Sequence, residues 1–415
     1  MSQLPRYESY KDSGVQWLGE IPSHWDVKRM KFVVANVGDK VDAKESDLRY
    51  FGLENIESFT GKLLDSVEIE SEGIGHRFQK EDVLFGKLRP YLAKVFLAQE
   101  EGLSSTEALV FRSSEVIYPK FLSYYCLSQD FINEVNGTTF GSKMPRASWD
   151  DISSFRMVYP SLDEQKIIVG FLDKRLAQVD ALIAKQEILL EKLAEQRVAL
   201  ISHAVTKGLN PDVEMKESGV EWLGKVPRSW DIANLRYFIS CNSGDALESS
   251  KILRDADEFN YIPVIGGNGL LGFTENSNYK KECIAVGRVG ALCGNVHFID
   301  YESWINDNAL LIKLISDKFN INYLVYLLRS RNLNELASKT AQPLLTGTQV
   351  KAEKVCIPLM SEQLEIVRYL DTNLEALDKL LETVNKTIQT LREYRSTLIT
   401  QVVTGKIDVR NLKVN

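Results

Sequence analysis

The segment Phe85-Gly-Lys-Leu-Arg-Pro-Tyr-Leu-Ala-Lys94 gathers three cations, Lys87, Arg89 and Lys94, and the aromatic Tyr91 around one glycine and one proline. Turn formers of that kind place side chains on a surface loop. Arginine and lysine there can bond guanine edges or phosphate oxygens, and a tyrosine ring can pack on a sugar or a base. A second segment, Val286-Gly-Arg-Val-Gly-Ala-Leu-Cys-Gly-Asn295, sets Arg288 and Asn295 among Gly287, Gly290 and Gly294. Without Cβ atoms, those glycines let backbone approach a ligand closely. Candidates of the same chemistry are Lys143 and Arg146 in GTTFGSKMPRASW, Asn268 in a Gly-rich turn, and Gln342 with Thr346 in TAQPLLTGTQ. The plain reading of any one of them is an exposed loop charge. Equivalent placement of Lys87 and Arg288 in two copies of one unit lifts that pair above it.

Other chemistries fit the sequence less well. Gly267-Asn-Gly269-Leu-Leu-Gly272 matches G-x-G-x-x-G and follows an apolar run, but FTENSNYKK comes next, where a dinucleotide fingerprint needs a helix. There is no phosphate-binding G-x-x-x-x-G-K-[ST] loop, no nucleophile elbow and no dense carboxylate cluster near a lysine, so no catalytic centre is expected. The cysteines Cys126, Cys241, Cys283, Cys293 and Cys356 are scattered, without a C-x-x-C pair, as are His24, His76, His203 and His297. They are expected to be reduced thiols of the core or surface, with no metal site.

The elements that must hold the loops come from a duplication. KDSGVQWLGEIPSHWD from Lys11 returns 205 residues later as KESGVEWLGKVPRSWD from Lys216, with both tryptophans, both glycines and the proline in register. PSLDEQKIIVGFLDKRLAQVD from Pro160 returns at an offset of 198 as PLMSEQLEIVRYLDTNLEALD from Pro358. In each copy a proline and Glu-Gln precede a periodic apolar run, which reads as a helix start. The blocks between them also align, at an offset of 201: Glu81–Lys87 faces Glu282–Arg288, Ala108 faces Ala309, and Tyr125 and Leu127 face Tyr326 and Leu328.

The helices carry heptad seams with alternating steps of four and three. The first runs through Leu172, Leu176, Val179, Ile183, Gln186, Leu190, Leu193, Arg197, Leu200 and Ala204. The second runs through Leu370, Leu374, Leu377, Leu381, Val384, Ile388, Leu391, Arg395, Leu398 and Val402. Two equal seams in one chain suit an antiparallel coiled coil, with Arg197 and Arg395 as polar residues that fix register. The blocks themselves have short apolar runs divided by Gly, Asn, Asp and Ser, the texture of a domain rich in strands and loops. The expected fold is therefore α+β (mixed): two similar globular domains joined by two long antiparallel coiled-coil helices in an internal pseudo-two-fold duplication. The expected segments are a repeated segment at 1–26, a block at 27–159, a helix at 160–207, the second repeated segment at 208–231, a block at 232–357, and a helix and tail at 358–415.

At 415 residues with 44% hydrophobic and 26% charged residues, the chain reads as a globular protein of two or three domains. It has no signal-like start and no apolar stretch long enough to span a bilayer, so a cytoplasmic location is expected. The net charge of -7 argues against a simple nucleic-acid binder, and only a local basic patch or a basic partner answers it.

Taken together, the twice-repeated GVxWLGxxPxxW segment, the basic Gly-containing loop and the Glu-Gln helix start resemble the specificity subunit of type I restriction-modification enzymes over nearly the whole chain. The resemblance implies that the two blocks are target recognition domains, each reading one half of a bipartite sequence in double-stranded DNA. It implies that the coiled coil sets the spacer and docks modification (methyltransferase) subunits, two of them. S-adenosylmethionine, ATP and Mg are then expected on the modification and restriction subunits, with no cofactor in this chain. Two other classes compete: a complete methyltransferase or nuclease, disfavoured by the missing motifs, and a coiled-coil scaffold without DNA recognition, favoured by the acidic charge. The specificity subunit of a related methyltransferase-nuclease system is a further alternative.

Overall fold

The computed structural model describes residues 5–64, 73–141, 143–338 and 343–412. The chain divides into two compact units: Met1–Glu187 with Asn385–Asn415, and Ile188–Val384. The fold is the mixed α+β class read from the sequence, and the duplication is present in the main sheet of each unit.

In the first unit a four-stranded sheet orders the strands Val34–Asn36, Ala108–Ser113, Val83–Gly86 and Val95–Leu97. Its counterpart in the second unit orders Ile239–Ser243, Ala309–Leu314, Cys283–Gly287 and Val296–Ile299. Val83–Gly86 and Cys283–Gly287 are buried along their whole length, so neither shows the in-out alternation of a half-exposed strand. The helix Pro119–Leu127 packs against the first sheet through Phe121, Leu122 and Tyr125, which join Phe85, Phe111 and Phe131 in the unit's main core. The helix Ile321–Ser330 is its equivalent in the second unit.

The second copy of that helix is one residue out of the 201-residue register. Tyr124, not Tyr125, corresponds to Tyr326: each donates its hydroxyl to an equivalent helix carboxylate, Asp173 at 2.6 Å and Asp371 at 2.5 Å. The caps Tyr118 and Asn320 agree with this pairing, since each donates its backbone N–H to the equivalent glutamine, Gln165 at 2.7 Å and Gln363 at 2.8 Å. The connection from the preceding strand is one residue longer in the second copy, which shifts this helix by one residue.

The helices Leu162–Lys207 and Met360–Val403, 46 and 44 residues long, follow the expected heptads. Every seam residue named above is buried or half-buried, while most of the residues between them are exposed. Each unit holds half of each helix, and within each unit the halves run antiparallel. In the first, Asp180 pairs with Arg395 and Glu187 with Arg392. In the second, Arg197 pairs with Asp378. Both helices stop at glycines in the left-handed region, Gly208 at φ 80° and Gly405 at φ 74°, where a Cβ would be strained.

The repeated segments are clamps on these helix ends. Trp25 donates its indole N–H to Glu164 at 3.1 Å, and Trp230 donates to Glu362 at 2.9 Å. Lys11 and Lys216 hold the carbonyls of Trp25 and Trp230 at 2.5 and 2.6 Å. From the far helix end, Lys406 reaches the Leu18 carbonyl at 2.6 Å and Lys207 reaches Leu223 at 2.8 Å. The neighbouring glutamine completes the clamp. Gln165 donates to Val116 and Pro160, both at 2.9 Å, and Gln363 donates to Lys318 and Pro358 at 2.9 and 3.0 Å. In the first unit the clamp also joins the chain's two ends, where the Asp408 N–H bonds the Pro5 carbonyl at 2.8 Å.

Candidate nucleic-acid interface

In both units the loop that follows the fully buried strand is laced to a second segment by the same backbone bonds. In the first, Arg89 N–H bonds Pro145 O at 2.8 Å and Ala147 N–H bonds Lys87 O at 2.9 Å. In the second, Gly290 N–H bonds Pro343 O at 3.0 Å and Leu345 N–H bonds Arg288 O at 2.9 Å. Lys87 and Arg288 are thus at one position of one scaffold, each with its N–H on the residue before a strand of the sheet, Glu107 at 2.9 Å and Asn308 at 3.0 Å.

The side chains on that scaffold differ. In the first unit Arg89 is exposed in the left-handed region at φ 51°, ahead of the single 3-10 turn Pro90–Leu92 that displays Tyr91 at 44% exposure. Lys87 is half-buried beside it, and Lys143 is exposed across the lacing. Arg146 is held by Glu107, with Nε and NH2 donating at 3.0 and 3.3 Å, which pushes its guanidinium pKa up. Lys94 turns inward and donates to the Leu53 carbonyl at 2.6 Å. The loop pair therefore presents Lys87, Arg89, Tyr91 and Lys143 outward, while Lys94 and Arg146 brace it.

In the second unit Gly290 stands where Arg89 does and Leu344 where Arg146 does, and amides lie beside Arg288. Asn295 donates to Asn268 at 3.2 Å, which brings the glycine turn and the loop together, and a Cβ on Gly267 would stand 3.9 Å from Arg288 N. Arg288 NH1 donates to Ser243 Oγ at 2.9 Å and Asp307 O at 3.2 Å, while its Nε is buried with no partner among the described residues. Thr346 caps the helix Gly347–Ala352, accepting from Gln349 N–H at 3.3 Å. Gln342 lies outside the described residues.

The site holds residues that the sequence reading passed over. His297 lies under the glycine turn, 3.4 Å from where a Cβ on Gly269 would be, with Nε2 buried and unpartnered among the described residues. Burial and Arg329 lower its pKa below the usual histidine range, so the ring is neutral near pH 7. Phe140 and Met144 in the first loop pair, and Leu270 and Leu271 in the strand Gly269–Thr274, are large apolar side chains exposed between 49% and 62%. An apolar residue inside a Gly- or Pro-rich turn is the sequence signal that would have found them.

Among the described residues no group of three His, Cys, Asp or Glu side chains could hold a metal ion. The five cysteines are free and buried, and burial pushes Cys283 up to about 11. No helix of the described residues is long and apolar enough to cross a membrane. The arrangement can bond groove edges and phosphates: cations suit guanine O6 and N7, and side-chain amides suit adenine N6 and N7.

Fold and site define a class: a duplicated α+β protein in which one clamped framework presents two chemically different loop pairs. A family profile described as "Type I restriction modification DNA specificity domain" matches residues 68–192 and 227–390, and the chain belongs to that family. It is similar to the type I restriction enzyme EcoprrI specificity subunit of Escherichia coli, at 29% identity over 61% of this chain and 60% of that protein. The match to the type I restriction enzyme MjaVIII specificity subunit of Methanocaldococcus jannaschii is 22% identical and covers 94% of this chain and 95% of the other. A solved structure from work on complex assembly and conformational transition of the type I R-M system shares the fold with a TM-score of 0.76. It is 19% identical, and the match covers 92% of this chain and 98% of that one. The HsdS subunit from Thermoanaerobacter tengcongensis gives 0.54 at 18% identity, over 93% and 98%.

Proposed function

We propose that the chain is the non-catalytic DNA sequence-specificity subunit of a type I restriction-modification complex, with each unit's loop pair reading one half of a bipartite target. The observation that carries this reading is the identical backbone lacing of two loops whose side chains differ, cationic around Lys87 and amide-rich around Arg288. A scaffold kept constant under changed donors suits two readers of different bases. In this reading the paired long helices set the unread spacer and dock two modification subunits. Restriction subunits join that complex, and S-adenosylmethionine, ATP and Mg belong to the partners.

The partners also answer the charge of -7, since phosphate neutralisation can be shared with a basic subunit. The same acidity favours a second reading, a coiled-coil scaffold that binds only proteins. Co-expression with the modification subunit, followed by mapping of methylated adenines across a genome, separates the two. A single bipartite motif is expected, and a complex that forms but methylates without any motif supports the scaffold.

A further inference from the structure

Arg395 and Arg197 hold one position in the two seams, yet only Arg395 is closed over. Its Nε donates to Asp180 at 2.9 Å, NH1 to the Phe59 carbonyl at 2.6 Å and NH2 to the Thr60 carbonyl at 3.0 Å. Lys62 adds a 2.7 Å bond to the same aspartate, and Gly61 fits where a Cβ would come within 3.2 Å of Leu127. Residues 57–62 thus form a plug. Arg197 bonds Asp378 alone among the described residues, and its side chain is 35% exposed against 8% for Arg395.

The difference comes from chain topology. The strands Tyr50–Phe51 and Ile262–Gly266 are equivalent, because each pairs in parallel with an equivalent strand, Gly102–Ser105 and Trp304–Ile305. After Gly52 the first copy makes a turn at Leu53–Asn55 and runs out through the plug. After Gly266 the second copy turns straight back into the hairpin strand Gly269–Thr274. A cleft of about 380 Å³ remains beside Arg197, Tyr326, Arg329 and Asp378.

The cleft's chemistry is altered to match. Arg329 stands where the first copy has Leu127; its Nε donates to the Val296 carbonyl at 3.3 Å, and burial together with Arg197 pushes its pKa down. On the helix, Glu375, Lys379 and Glu382 replace Ala177, Ala181 and Ala184. With Asp371 and Asp378 that makes four carboxylates against three cations, a balance unsuited to DNA phosphates.

We propose that this cleft is a docking slot for an extended basic segment of a second protein, entering as residues 57–62 do in the first unit. Its backbone carbonyls meet Arg197 and Arg329, and its lysine or arginine meets Asp378 and the Glu375 and Glu382 rim. Taking that protein to be the modification subunit rests on the function proposed above. The test uses the full chain co-purified with its modification subunit, in two arms. A photo-crosslinking benzoylphenylalanine at Glu382 is expected to capture a modification-subunit peptide that carries lysine or arginine. The exposed-rim reversal Glu375→Arg with Glu382→Arg is expected to weaken subunit binding about tenfold while the melting temperature holds. If the wild-type pair forms no complex, the functional reading fails. If the pair forms but the reversal binds equally well, or if the crosslink goes to DNA or to a segment without a cation, the slot is overturned.

Discussion

The clamps around Trp25 and Trp230 and the loop pairs around Lys87 and Arg288 belong to the same two units and follow opposite rules. In the clamps the same side-chain bonds close inside the protein in both copies: indole on glutamate, lysine on carbonyl, glutamine on the turn before a helix. In the loop pairs the backbone bonds repeat, while the outward side chains do not. Residues answerable to the scaffold stay alike in two copies of a duplicated chain; residues answerable to something outside it are free to differ. The arginine sites lie between these cases, since one copy carries its own plug and the other leaves that place open.

The comparison can be broken at the clamp first. Trp25 is fully buried, and Trp25→Ala is expected to cost about 4 kcal/mol, mostly through the cavity, with the loss of one of the bonds to Glu164. Chemical denaturation should show the loss with no change in any DNA half-site preference of the surviving folded protein. Next in size, Arg395→Ala leaves the Phe59 and Thr60 carbonyls without this donor and Asp180 with Lys62 alone, and is expected to cost about 3 kcal/mol, whereas Arg197→Ala, at a half-open site, should cost under about 1 kcal/mol. Equal losses would mean that the plug contributes nothing to stability.

Much of the framework was legible because it is periodic. Steps of four and three locate both seams, and Pro-x-x-x-Glu-Gln marks both helix starts within two residues of Leu162 and Met360. The role of that Glu-Gln was hidden, because Glu164 meets Trp25 across 139 residues and no local pattern records such a pairing. Lys94 looks like any loop cation until the Leu53 carbonyl, 41 residues earlier, is seen to hold it. Thr346 was within reach, since Thr-x-x-Gln is a capping-box spacing, but its place in a Gly- and Thr-rich stretch suggested a loop contact. The plug was invisible because the two copies diverge in topology after Gly52 and Gly266, where alignment at a fixed offset has nothing to match.

The most direct test of two readers on one framework is to exchange residues 27–159 for the corresponding block of another family member. The hybrid is then co-expressed with the modification subunit, and its methylated adenines are mapped. Half of the bipartite motif should change while the other half stays as it was in the parent. A hybrid that methylates with both halves altered, or with neither altered, would contradict the account.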